Sequence, residues 1–424
     1  MSDKEPLSTE PYKGVRDFYP EDWTRLQAAF DIIRTTLRSY GFEEYNASPL
    51  ERAELYESKT SEEIVNEQTY TFTDRGDRKV TLRPEMTPTL ARMVAHKRRE
   101  LVYPLRWFSI GNRFRYERPQ KGRLREFYQV DVDIVGIGDA KAEGEALVMA
   151  HEIFRAFGAK NSEFVIKVNS RTLLNAAAEA VGLSPEETTT YLGLVDRKNK
   201  MDEEKFETLR APYRRNGMDP LEVIEAHNTD AVESEYQKLM GLVNALAERG
   251  IDNIEFDPCV VRGFLYYTGL VFEVFDTDPE NARALMGGGR YDGLVALFGG
   301  DPIPAVGFAM GDVTLMDFLT THNLLPDVSS APELYVGTPS ESDIGPAQTF
   351  AEAVRADGGR VMVNITDRAL GDQIREAAKR GIPYFVAFGE TEAGAQVVRV
   401  RNLESGFEQE LPVSEVARAL RSGF

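Results

Sequence analysis

The stretch that most constrains this chain is GNRFRYERPQKGRLREFYQVDVD, from Gly111 to Asp133. Its second half alternates. In an extended strand Tyr128, Val130, Val132 and Ile134 fall on one side, and Phe127, Gln129, Asp131 and Asp133 on the other. The apolar side needs a core beneath it. The expected partner is the preceding strand, residues 105–116, joined to it through the loop 117–125. Pairing would set Arg113 and Arg115, with Ser109 and Gly111, beside the amide and carboxylates of Gln129, Asp131 and Asp133. Such a face is either solvated, with ion pairs worth roughly 0–1 kcal/mol each, or a binding surface for a small zwitterion and an anion.

A chain of 424 residues exceeds the roughly 250–300 at which one core stops growing. The clearest boundary is the linker PDVSSAP, Pro326 to Pro332. After it, strand-like runs at 334–336, 360–365 and 384–388 alternate with helical stretches at 345–356 and 368–379. That order predicts a small α/β domain with a parallel core, edged by a hairpin at 397–400 and 408–411. Before the linker, Trp23, Leu26, Phe30, Ile33, Leu37 and Tyr40 form the apolar stripe of a helix over 21–40, stopped by Gly41. A hairpin follows around Arg75-Gly76-Asp77, then helices at 88–97 and 142–157 and a strongly charged helical module at about 171–250. Strands are expected at 253–256 and 270–275, and residues 308–319 read as a mostly buried helix.

Composition narrows the function. The single cysteine, Cys259, excludes an internal disulfide, and the four histidines lack metal-ligand spacing. No apolar run approaches the ~18 residues of a membrane span, and the polar start MSDKEPLSTEPYKG reads as neither signal nor transit peptide. A cytoplasmic protein is expected. A net charge of -19 argues against coating nucleic acid by bulk charge, so a polyanion would have to be gripped locally. The six cations of the opening stretch are the candidates. Two further segments add functional groups. RGFLYYTG (Arg262 to Gly269) reads as an aromatic-packed turn or a site, and RPEMTP (Arg83 to Pro88) as a helix cap by Thr87 or a site. The glycine cluster Gly287–Gly289 says little alone, and there is no Walker loop.

Together, LRPEMTPTLARM, FRYERPQKGRLREF, VRGFLYYTG and GGGRYDGL, in this order, resemble the histidyl-tRNA synthetases, a family of class II aminoacyl-tRNA synthetases. GIPYFVAFGETE resembles that family's C-terminal domain. The RGxxYYTG pattern is the most specific, because it marks the histidine family rather than class II in general. The resemblance implies an α+β fold: an antiparallel class II sheet with flanking helices (residues 1–325), a helical insertion (171–250) and an α/β anticodon-binding domain (331–424). It implies ATP-dependent ligation of histidine to tRNA through a histidyl-adenylate, with ATP as substrate, Mg2+ as cofactor and a homodimer as the assembly.

By the same resemblance Arg115 and Arg262 are catalytic and flank the α-phosphate, with Glu117 also on ATP. Glu85, Thr87, Gln129, Asp133, Tyr266 and Tyr267 take the histidine, Asp133 and Tyr267 bracketing its imidazole. Gln120, Lys121, Arg123 and Arg125 face the tRNA acceptor end. No protein-borne metal site is implied. Three positions depart from the family pattern: Asp133 for a glutamate, Leu265 for an aspartate, and Thr314 for the motif 3 arginine that meets ATP. They leave open a non-catalytic relative, such as an ATP phosphoribosyltransferase regulatory subunit or a paralogue that binds histidine or tRNA without charging it.

Overall fold

The alternating strand lies inside an eight-stranded sheet, in a computed structural model that describes residues 7–57, 68–198, 201–262 and 266–422. Its strands, with those of a small side sheet, run in chain order. β1 (Glu43–Glu44), β2 (Leu50–Arg52), β3 (Tyr70–Thr73) and β4 (Lys79–Leu82) come first. β5 (Leu105–Phe114) and β6 (Glu126–Val135) are the basic hairpin. β7 (Phe164–Ser170), β8 (Ile254–Phe256), β9 (Leu270–Asp276), β10 (Ala284–Arg290) and β11 (Ala305–Gly311) complete the set. The large sheet has the order β1-β5-β6-β11-β10-β9-β7-β8, while β2, β4 and β3 form the side sheet.

The expected antiparallel sheet holds for the central strands, but both edges, β1 on β5 and β8 on β7, pair in parallel. Residues 308–311 are a second correction. They close β11, and the helix begins only at Asp312. The run AVGFAM is buried on both sides, so it carries no alternation to mark it as a strand.

One face of the sheet is greasy. The helices Pro20–Ser39, Ala140–Ala156 and Asp312–Thr321 pack Leu26, Phe30, Ile33, Ile153, Phe154 and Phe318 onto Val130, Val132, Ile134, Phe272 and Phe308. The ends of the predicted first-helix stripe miss this core, since Trp23 and Tyr40 remain 37% and 43% exposed. Pro20 occupies the first helical turn, and Gly41, at φ +80°, turns the chain away after it.

The opposite face is polar yet almost equally dry, which overturns the solvated reading of the hairpin. Gln129, Asp131 and Asp133 are 8%, 3% and 3% exposed, and Arg113 is fully buried. Arg113 Nη2 donates to Asp131 Oδ2 at 2.5 Å. Arg83 lies on the same side, donating to the carbonyls of Asn112 and Ala47. It fits because position 111 is glycine: a Cβ there would stand 2.6 Å from Arg83 Nη2. Burial, helped by repulsion from Arg113, pushes the Arg83 pKa down to about 10, and burial pushes Asp131 up against the pull of Arg113.

Between β7 and β8 the chain leaves the sheet for helices from Arg171–Val181 to Asp230–Ala247, which build a core of their own around Leu173, Tyr191, Phe206 and Ile224. The described chain divides into two compact units, Met1–Pro326 and Asp327–Phe424. In the second, β12 (Leu334–Gly337) lies between β13 (Val361–Val363) and β14 (Tyr384–Ala387), all parallel. β15 (Val397–Asn402) and β16 (Glu408–Pro412) extend it antiparallel.

Removing one partner of a buried ion pair strands the other charge. Arg113→Ala should therefore lower unfolding free energy by about 3–5 kcal/mol. A fall in the denaturant midpoint checks this, and an unchanged midpoint would refute the role assigned to the pair.

Candidate active site

A cavity of about 820 Å³ opens on the polar face of the sheet. Its floor is shaped by small residues. Strand register sets Gly307, Ala309 and Gly311 of β11 opposite Asp133, Asp131 and Gln129 of β6. A Cβ on Gly307 would stand 2.0 Å from Asp133 Oδ1, and one on Gly287 would stand 2.5 Å from Arg262 Nη1. The glycines are what admit these two side chains.

At one end sit the residues expected to read the amino acid. Glu85 is buried, and its Oε2 accepts from the Tyr266 hydroxyl at 3.0 Å. Tyr267 packs beside Tyr266, the ring centroids 4.9 Å apart and the planes tilted by 55°. Burial raises the pKa of both phenols, so both stay protonated. Thr87 lines the cavity as the first residue of the helix Thr87–Lys97, while the cap position itself falls to Met86, which makes no side-chain capping bond. Asp133 lies just behind the wall, where its Oδ1 accepts from the Tyr291 hydroxyl. Asp133 Oδ2 and Gln129 Oε1 are buried oxygens with no hydrogen-bond partner among the described residues, a costly state that a ligand's polar groups would relieve. Burial pushes the Asp133 carboxyl up to about 8, with Tyr291 opposing and Asp131 reinforcing.

The other end is cationic. Arg115 extends past β5, donating from Nε to Pro84 O at 2.9 Å and lying over the Phe127 ring. Burial lowers its pKa, against the attraction of Glu85. Arg262 holds a left-handed φ of +61°, a conformation costing a non-glycine residue roughly 1–2 kcal/mol. Its Nη1 meets Glu273 Oε1 at 2.6 Å. Burial opposes its charge, but Tyr267 and Glu273 outweigh that and raise its pKa. Arg115 and Arg262 thus converge on one cavity from distant segments.

The loop residues divide. Gln120 and Lys121 are exposed, Lys121 reaching Glu280 O at 3.4 Å. Arg123 turns inward to the buried Glu117, its Nη2 at 2.5 Å from Oε1. Arg125 donates to Glu117 O and the Tyr12 hydroxyl, with its guanidinium 4.1 Å from the Tyr116 ring centroid. Thr314 lines the cavity, its hydroxyl 3.4 Å from Leu285 O. Leu265 falls outside the described residues.

Sequence reasoning missed Tyr291 and Glu273. GGGRYDGL contained the first. Glu273, flanked by Phe272 and Val274, looks like part of a core strand. Among the described residues no cluster of three or more His, Cys, Asp or Glu side chains forms a metal site, and no described helix is long and apolar enough to cross a membrane.

A family model described as "Histidyl-tRNA synthetase" matches residues 14–314, and one described as "Anticodon binding domain" matches residues 336–423. The chain belongs to the histidyl-tRNA synthetase family. A curated relative named "Histidine--tRNA ligase" from Leptospira biflexa is 39% identical across 99% of this chain and 98% of its own length. One of the same name from Halobacterium salinarum is 36% identical across 95% of each. The crystal structure of histidyl-tRNA synthetase from Nostoc sp. PCC 7120 shares the fold, with a TM-score of 0.78 at 23% identity over 98% of this chain and 99% of that one. The anticodon-binding match begins within β12 and takes in β13–β16.

Asp133 gives the site a pH signature. An unfolded aspartate titrates near ~3.9, so between that value and about 8 the fold holds an extra proton. The stabilisation from this group is full below about pH 4 and lost as pH rises through about 8. Asp133→Asn should therefore melt progressively higher relative to the parent as pH is raised from about 5 to about 9. A melting difference constant across that range would contradict the assignment.

Proposed function

We propose that the protein charges tRNA with histidine in two steps within this cavity. A histidine carboxylate oxygen attacks the α-phosphorus of ATP. The bond to the bridging oxygen breaks, pyrophosphate leaves, and histidyl-adenylate remains. A hydroxyl of the tRNA 3′-terminal ribose then attacks the acyl carbon and AMP departs. The observation that carries this reading is the convergence of Arg115 and Arg262 on one cavity with the Glu85, Gln129, Tyr266 and Tyr267 cluster.

Negative charge grows on the α-phosphate oxygens in the first step. Fixed guanidinium groups in a water-poor site stabilise it with little reorganisation, and the Pro84 and Glu273 contacts pre-aim them. Glu85 and Gln129 receive the ammonium, and Thr87 its neighbouring atoms. The Asp133–Tyr291 pair and Tyr267 receive the imidazole nitrogens, and a site that pairs both rejects analogues lacking them. Mg2+, when bound, would supply positive charge that offsets the phosphates. Such an ion needs only one or two carboxylates beside the phosphate oxygens, and Glu117 and Glu273 on the cavity wall would hold it.

Gln120 and Lys121, exposed at the loop tip, with Arg123 and Arg125 behind them, face the acceptor end of tRNA. Residues 1–325 are the catalytic domain, 171–250 its insertion and 331–424 the reader of the anticodon. The protein acts as a homodimer in the cytoplasm, the helix Pro20–Ser39 with its exposed Trp23 contributing to the dimer contact. The non-catalytic alternatives are less favoured, because the cavity keeps both arginines and the chain keeps its anticodon-binding match.

Histidine-dependent ATP–pyrophosphate exchange tests the reading directly. Arg262→Ala should lower the exchange rate by about 10²–10³ while histidine still binds by calorimetry. Near-parental exchange would reject the role of Arg262. Deleting residues 331–424 should weaken tRNA charging far more than exchange, and equal losses in both assays would reject the division of labour.

A further inference from the structure

The cavity wall at Thr314 lacks the guanidinium that the family pattern leads one to expect at that position. A different element brings one to the same place. Arg283 lies between a single helical turn, Pro279–Asn281, and the start of β10. It lines the cavity together with Gly122, Leu285 and Thr314. The neighbourhood is tight: a Cβ on Gly122 would stand 2.7 Å from Arg283 Cδ, 3.3 Å from its Nε and 3.6 Å from Thr314 Cγ2. Gly122 also carries a φ of +72°, so both its backbone and its missing side chain leave the Arg283 stem room to cross the basic loop.

What separates Arg283 from the other cavity cations is its lack of partners among the described residues. Arg115 is held by Pro84 O, Arg123 by Glu117, Arg197 by Gly193 O and Arg262 by Glu273. No hydrogen bond or ion pair joins Arg283 to another described residue, although Glu280 and Asp317 border the adjoining small pocket of about 190 Å³. A guanidinium kept at a cavity wall without a carboxylate is available to an anion, and its planar fork suits phosphate oxygens.

We propose that Arg283 holds the terminal phosphates of ATP, replacing from the start of β10 the cation that the motif 3 helix lacks at Thr314. The proposal rests on the adenylating function given above. It accounts for two positions together: a neutral residue at 314 is tolerated because 283 is cationic, and glycine at 122 leaves the room that the arginine crosses. Nothing covalent is asked of Arg283. It fixes the β- and γ-phosphates so that the α-phosphorus lies between Arg115 and Arg262.

The test uses the full-length protein in ATP–pyrophosphate exchange. Arg283→Ala should raise the KM for ATP by about 10- to 100-fold, the span expected for a lost hydrogen bond to a charged group. The KM for histidine should move less than about twofold, and AMP, which has no β- or γ-phosphate, should bind the variant as it binds the parent. Thr314→Arg placed in the Arg283→Ala background should recover most of the lost ATP affinity, which a merely structural role for Arg283 would not produce. An unchanged KM for ATP in Arg283→Ala would overturn the proposal. So would equal weakening of AMP and ATP, or a double variant no better than the single one. Absence of exchange in the parent protein would instead reject the adenylating function itself.

Discussion

The architecture depends on burying a charged sheet face. Two arginines and an aspartate, Arg83, Arg113 and Asp131, lie in the interior beside the cavity floor. Desolvating them costs several kcal/mol per ion, and only close pairing and filled hydrogen bonds offset it. Arg113 on Asp131 and Arg83 on two backbone carbonyls provide that compensation. Because the geometry must be maintained, β5, β6 and the segment leading into the Thr87 helix are locked together. Glu85 and Thr87 therefore enter the cavity from a braced backbone rather than a free loop.

Volume is traded as tightly as charge. Gly111, Gly287 and Gly307 each leave space that a neighbouring functional or supporting side chain occupies. Under Gly307 this produces an aspartate sunk deep enough to keep a raised pKa, met by a tyrosine hydroxyl. Aspartate is one methylene shorter than glutamate, and Tyr291, which lines the cavity, hydrogen-bonds its carboxyl. Hydrogen-bonding character therefore reaches the wall through a phenol as well as through the acid.

The distribution of cations resolves the conflict between a net charge of -19 and anionic substrates. Bulk repulsion is long-range and screened by salt over about 8–10 Å, whereas the cavity arginines act at contact distance. Each of Arg115, Arg123 and Arg262 is oriented by an oxygen of the protein, so little ordering is left for substrate binding to impose.

Much of this was legible in the sequence. Periodicity revealed the first helix and the basic hairpin, because one buried face imposes a repeat on the residues that build it. The Pro/Ser-rich linker, with the alternating apolar and helical runs after it, revealed the last domain. Motifs singled out Glu85, Gln129, Asp133, Tyr266 and Tyr267. Strands β10 and β11 left no such trace, since elements buried on both faces lose their alternation and glycine carries no pattern. Tertiary structure alone decided who meets whom. It brought Tyr266 to Glu85, Tyr291 to Asp133 and Glu273 to Arg262, pairs joined across distant strands and turns. It also decided that the polar face of β6 is buried and that Arg283 stands beside Thr314, because register and sheet order, which no local pattern encodes, set those distances.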